Sequence, residues 1–211
     1  MDSSSNESLE GWVGWYLKQD NTELLIDVDE DFYLDKFNLT GLQNMVHFPI
    51  CYDIITDNSE IQEYSQDAHP ILEKSSRHLY GMIHARYVLT TAGMRKVAVK
   101  VKQGHYGYCK RYNCPKTPLI PVGLSSKPYV SYVKGYCGHC QDIYHLECLL
   151  DGAYFTTTLP HLLLLTYPDV LVDSRCKQFE LEKYGFDTST IETTRKVQQE
   201  LKDKQQVYWN R

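Results

Sequence analysis

Apolar side chains enter this chain on a helical beat. Leu9, Trp12, Val13, Tyr16 and Leu17 fall at i, i+3, i+4, i+7 and i+8, which lines them along one helical face. Met1 to Ser8 is polar and serine-rich and reads as a disordered tail. Asp27 or Asp29 can cap a second helix holding Phe32, Tyr33 and Phe37, and Asn38 or Thr40 can start a further turn. Asp57 to Asp67 is polar and reads as a loop. A long helix follows from about Pro70 to Thr90. Proline suits its first turn, and Leu72, Leu79, Ile83 and Tyr87 form its apolar stripe. Gly93 breaks or kinks it, and a shorter helix runs to about Val101.

After Gly104 the texture changes. Prolines stand at 115, 118, 121 and 128, and Tyr129, Ser131 and Val133 alternate, which predicts short strands and turns. The expected class is α+β: an all-helical N-terminal domain over 9–103, a small β domain over 104–168 and a C-terminal tail over 169–211. Ser189 with Glu192 makes a capping box for a weak terminal helix in that tail. No apolar run approaches the ~20 residues that span a membrane, since the longest is Leu162 to Leu165.

A β domain that small needs a staple, and the cysteines offer one. Cys109 and Cys114, then Cys137 and Cys140, stand as C-x4-C and C-x2-C with 22 residues between the pairs. Thiolates suit Zn²⁺, and four of them close the coordination shell against water and substrate. The spacing predicts one structural zinc per chain in a zinc ribbon. Four buried free thiols or two disulfides are the competing readings. The dipeptides Gly107-Tyr108 and Gly135-Tyr136 precede the two pairs, and a glycine beside each lets the backbone curl. His105 and His139 lie near enough to replace a cysteine, but the reading favours solvated loop histidines. Cys51, Cys148 and Cys176 bring the count to seven. An odd count with no secretory leader argues for a reducing compartment.

Charge is distributed unevenly around a net −5. Met1 to Asp67 holds fifteen acidic residues against Lys18 and Lys36, while Arg95 to Lys134 holds nine basic residues and no acidic one. An acidic part attracts basic partners, and a basic ribbon rich in tyrosine can stack on and neutralise nucleic acid. A solvated surface is the plainer account of both. The glycine-rich loop, H-R-D and D-F-G runs of a kinase are missing from the sequence, as are a P-loop and G-x-S-x-G. His84, in the long helix beside Arg86, reads as a packed histidine rather than a general base.

Several runs, taken in order, resemble the regulatory beta subunit of casein kinase II. They are Trp12-Val13-Gly14-Trp15-Tyr16, the Asp35 to Leu42 run DKFNLTGL, Leu79-Tyr80-Gly81 with Ile83-His84-Ala85-Arg86-Tyr87, the four cysteines, Pro121 to Ser125, and Asp151 to Phe155 with Pro160-His161. The resemblance implies a helical domain followed by a zinc ribbon. It implies a non-catalytic subunit that dimerises through its ribbons and joins two catalytic alpha subunits in a heterotetramer in cytoplasm and nucleus. It further implies docking of the catalytic chain on Tyr184 and Phe186, phosphorylation of Ser4 in the Ser4-x-x-Glu7 pattern, and basic protein substrates as partners. The alternative is a nucleic-acid binder using the basic, tyrosine-rich ribbon. On the ribbon, Leu119, Ile120, Val122 and Leu124 are expected to stay exposed and to form a dimer face.

Overall fold

A computed structural model describes residues 11–112, 114–171, 185, 193 and 195–199 of the chain. The chain divides into two compact units, Met1–Arg175 and Cys176–Arg211. In the second unit residues 195–199 are helical; Ser189 and Glu192 lie outside the described residues.

The first unit begins with α1 (Trp12–Leu17) and α2 (Glu30–Leu34). Asp29 stands at the start of α2, but its side chain does not cap the helix. It instead accepts from the Tyr87 hydroxyl at 2.6 Å and from the Lys96 ammonium at 2.6 Å. Phe37 falls beyond α2 and is exposed. The further turn is a 3-10 turn over Leu42–Asn44, entered through Gly41 at φ 84°. Then comes α3 (Phe48–Ile55), which the hydrophobic pattern did not announce.

The long helix is α4 (His69–Tyr87), with Leu72, Leu79, Ile83 and Tyr87 all buried as the stripe requires. It ends at Tyr87, and three residues on the Thr90 hydroxyl accepts from the Gly93 N–H at 3.1 Å and so caps α5 (Thr91–Lys102). The break therefore falls on Thr90, and Gly93 lies inside the first turn of α5. A Cβ at Gly93 would stand 2.0 Å from the Tyr87 carbonyl oxygen, so glycine here serves a close approach.

Between α1 and α2 the chain runs without regular structure, yet Leu25, Ile26 and Val28 are buried. Buried backbone must find partners, and side chains from α4 and α5 supply them. Ile26 N–H donates to His84 Nε2 at 3.1 Å, and Val28 N–H donates to the Tyr80 oxygen at 3.3 Å. Lys100 donates to the Glu23 and Leu25 carbonyls, and Lys96 to that of Asp27. Arg86 does the same for Asn38 and Thr40, at 2.6 and 2.8 Å.

The sheet is three-stranded and antiparallel in the order β1 (Ile120–Val122), β2 (Lys134–Cys137), β3 (Asp142–His145). Ile120 pairs with Tyr136, and Cys137 with Asp142. Tyr129 to Val133 does not form the alternating strand predicted there; β2 starts at Lys134. After β3 a 3-10 turn (Gly152–Phe155) leads to α6 (Leu159–Thr166), a second helix the pattern did not announce. Leu159 and Leu163, four apart, bury the same face of α6, which packs on β1 and α5. That cover changes the expected dimer face: Leu119, Ile120 and Val122 are buried within the chain, and only Leu124 of the four is exposed.

Helices and sheet share one apolar core. Leu79, Tyr80 and Ile83 of α4 belong to the same buried cluster as Leu119, Ile120, Val133 and Phe155. Among the described residues no helix is long and apolar enough to cross a membrane.

Candidate metal centre

The first cysteine pair sits on a loop whose two sides pair with each other. Tyr108 bridges Pro118, Cys109 N–H donates to the Thr117 carbonyl at 2.9 Å, and Leu119 N–H donates to that of Gly107 at 3.0 Å. Gly107 has φ 80°, so the curl assigned to it is present. Cys114 is turned inward by its own N–H donating to the Arg111 carbonyl at 3.1 Å.

The second pair spans the β2–β3 connection. Cys137 ends β2, its sulfur accepts from Cys140 N–H at 3.3 Å, and its carbonyl accepts from Gln141 N–H at 2.8 Å. The left-handed residue of this turn is Gln141, at φ 55°. Gly135 makes no turn. It lies within β2, where a Cβ would meet Leu119 Cδ1 at 2.8 Å and Leu146 Cδ2 at 3.0 Å. Its smallness lets those two leucines close over the strand.

The two pairs meet. Cys109, Cys114, Cys137 and Cys140 hold their sulfurs within 4.8 Å of one another, an arrangement that could hold a metal ion. Cys109 Sγ lies 3.8 Å from Cys140 Sγ, and Cys114 Sγ lies 3.9 Å from Cys137 Sγ. A disulfide would need about 2.05 Å, and all four cysteines are free. Four sulfurs placed tetrahedrally about 2.3 Å from one ion would stand about 3.8 Å apart. The observed separations fit that edge. Neither His105 nor His139 belongs to the group.

Electrostatics point the same way. Burial first, and then the neighbouring thiols, hold the Cys140 thiol far above its ordinary value, and burial raises that of Cys137. Burial also raises the Cys114 thiol, but hydrogen bonds from Thr117 outweigh it and bring it down to about 7. The Thr117 hydroxyl is 3.4 Å from Cys114 Sγ. The cluster thus resists carrying several negative charges by itself, and a bound cation would reverse that resistance. Tyr144 of β3 presents a buried hydroxyl with no hydrogen-bond partner among the described residues. Its phenol is raised by burial and then by the Cys109 and Cys140 sulfurs beside it. A sulfur kept anionic by a metal would give that hydroxyl an acceptor. Thr117 and Tyr144 carry no motif that sequence reading could have used.

The other expected site residues separate. Cys51 is buried against α4, far along the chain from the cluster, and its thiol is raised by burial. Cys148 is half-buried and joins no ligand group. Ser4, Cys176, Tyr184 and Phe186 lie outside the described residues. His84 is fully buried and bridges two backbones. Its Nε2 accepts from Ile26, so Nδ1 carries the proton and donates to the Tyr154 carbonyl at 2.8 Å. Burial lowers its pKa to about 4, which keeps it neutral. The basic run is also divided. Lys96, Lys100 and Lys102 turn to Asp29, to the Glu23 and Leu25 carbonyls, and to Asp169, respectively.

Comparison with known proteins adds the family. The family model of the casein kinase II regulatory subunit matches residues 11–187. The chain is 39% identical over 211 residues to casein kinase II subunit beta of Schizosaccharomyces pombe, covering 97% of this chain and 90% of that one. It is 41% identical over 193 residues to the Dictyostelium discoideum subunit beta, covering 88% and 71%. It is 35% identical over 194 residues to subunit beta' of Saccharomyces cerevisiae, covering 88% and 75%.

Proposed function

The chain belongs to the casein kinase II regulatory subunit family, and on that premise we propose that it serves a kinase without itself transferring phosphate. In this reading it dimerises, binds two catalytic alpha subunits, and tunes their stability, activity and choice of substrate. The observation that carries it is the family match over 11–187, which takes in both the helices and the four-cysteine cluster. The cluster would hold one Zn²⁺ through Cys109, Cys114, Cys137 and Cys140. Four sulfur donors leave the ion no open position, so its part is to fix two loops and not to activate water. Among the exposed apolar groups of the ribbon, Tyr108, Leu124 and Ile143 would serve a twofold partner.

Docking of the catalytic subunit is assigned to Tyr184 and Phe186. Between them Gly185 has φ 80° and open space around it, which suits a turn that presents two rings together. Ser4 is proposed as a phosphate acceptor for the same kinase, and basic proteins as its substrates. The deciding experiment is capture of a catalytic alpha subunit by the purified full chain. The double variant Tyr184→Ala with Phe186→Ala is expected to lose capture while retaining one zinc per chain and the dimer mass by light scattering. Capture at wild-type affinity by that variant would move docking elsewhere, and loss of the dimer would make the two rings part of the fold.

A further inference from the structure

A trough runs beside α4 where the helix faces residues 129–134. Its larger half, about 960 Å³, is lined by Lys74, Arg77, Lys134, Tyr129, Tyr132 and Asp151 among others. A second hollow of about 700 Å³ is lined by Met45, Val46 and Ile71. Both are bounded by Pro70, Lys74, His78 and Tyr129, so they are two ends of one trough. The Tyr129 ring, stacked on His78 with centroids 5.1 Å apart, stands between them.

The charges at the larger end do not balance locally. Its acids are already engaged: Glu73 accepts from Arg77 at 2.5 Å, and Asp151 accepts from the Tyr129 and Ala153 N–H groups at 2.6 and 2.9 Å. Its lysines have no carboxylate among the described residues. Lys74 lies 6.0 Å from the centre of the Tyr129 ring, and Lys134 donates to His145 Nδ1 at 2.8 Å. Two buried polar atoms there, Arg77 Nε and Ser131 Oγ, lack a hydrogen-bond partner among the described residues. Tyr129 itself adopts φ 63°, a conformation unfavourable for a side-chain-bearing residue, yet the residue is 70% exposed. Strain of that kind persists only where surrounding contacts enforce it, and it gathers at sites of function. Here Asp151 enforces it.

We propose that this trough docks an extended acidic segment of a partner protein, with carboxylates toward Lys74 and Lys134 and an aliphatic side chain between Met45, Val46 and Ile71. The two ends differ in chemistry, and that difference selects the occupant. A nucleic-acid strand would lay phosphates across the apolar end as well as the basic one. A peptide can change from acidic to aliphatic within a few residues, and an extended chain advances ~3.3 Å per residue. The proposal goes beyond the kinase-subunit reading and stands without it.

The test is fluorescence anisotropy of a labelled Glu-Asp-Glu-Gly-Leu-Leu peptide with the full chain. Saturable binding in the micromolar range is expected, at least tenfold weaker for Lys74→Glu with Lys134→Glu. Severalfold weakening is expected for Ile71→Ser, and for a peptide with serine in place of both leucines. Lys74 is exposed and Lys134 half-exposed, so circular dichroism should match wild type; if it does not, Lys74→Ser with Lys134→Ser replaces the reversal and should weaken binding in the same direction. No binding, or equal binding by wild type and the charge variant, overturns the proposal. So does an oligo-dT strand that binds through the same lysines more tightly than the peptide.

Discussion

At the scale of single residues, His84 shows how a residue type with catalytic potential serves the fold instead. Its ring joins the Ile26 N–H to the Tyr154 carbonyl from inside the core. The sequence supported that packed reading, because no partner acid or nucleophile stood near it. The identity of its two partners was not legible, since they lie 58 and 70 residues away. A pH dependence follows from the burial. The pKa falls from 6.5 in the unfolded chain to about 4 in the folded one. Below pH ~6.5 the unfolded chain binds a proton that the folded chain refuses. The contribution of neutral His84 is therefore complete above that pH and is lost as pH falls toward 4, amounting to about 3 kcal/mol over the window. Chemical denaturation at pH 7.5 and pH 4.5 should show this loss in the wild type and a smaller one in His84→Gln. Equal losses would place the titration in other groups.

At the scale of elements, the helices that could be read were those with a polar face. α4 displays an apolar stripe against charged neighbours, so period and burial agree along its length. α3 is Phe-Pro-Ile-Cys-Tyr-Asp-Ile-Ile and α6 is Leu-Pro-His-Leu-Leu-Leu-Leu-Thr. Both are apolar nearly all round, and a short run of that kind carries no period to separate helix from strand. The α4–α5 junction was read at the wrong residue because glycine is the usual breaker, whereas here Thr90 caps and Gly93 makes room. A substitution separates the two roles. Alanine favours an exposed helix by ~1 kcal/mol over glycine, but at position 93 its Cβ would press on the Tyr87 backbone. Gly93→Ala should therefore destabilise, by about 1–3 kcal/mol as overpacking does. Gly81→Ala should do likewise, because its Cβ would meet the Tyr154 ring at 2.4 Å. Urea unfolding of either variant at or above wild-type stability would contradict this account.

At the scale of the whole first unit, the runs that carried the family resemblance prove to be one another's neighbours. Tyr16 of the first run meets Tyr80 of the helix run edge-on at 5.6 Å, and Arg86 of the helix run holds the carbonyls of Asn38 and Thr40. Gly81 and His84 pack on Tyr154 and Phe155, and Gly123 approaches the Gly152 carbonyl so closely that a Cβ would stand 2.1 Å from it. Uneven charge along the sequence becomes partly a set of internal ties, as between Lys96 and Asp29. That pairing was invisible to a reading that treated the acidic and basic stretches as separate faces. It also bears on how the protein unfolds. Leu119, Ile120, Val133 and Cys137 share a buried cluster with α4, so the metal loops are joined to the helices through packed side chains. Removing the proposed zinc ion, or changing Cys114→Ser, should then lower the stability of the helices along with that of the sheet. Structural zinc contributes on the order of 10 kcal/mol in small domains, and each kcal/mol moves the midpoint of a domain this size by roughly 2–4 °C. About 3 kcal/mol transmitted to the helices should bring their melting down by roughly 6–12 °C. Calorimetry before and after chelation, with far-ultraviolet circular dichroism to follow the helices, makes the comparison. A single transition that shifts down as a whole is expected. A helical signal that melts unchanged after the metal is stripped would mean that the helices and the ribbon fold as separate domains, in spite of their shared core.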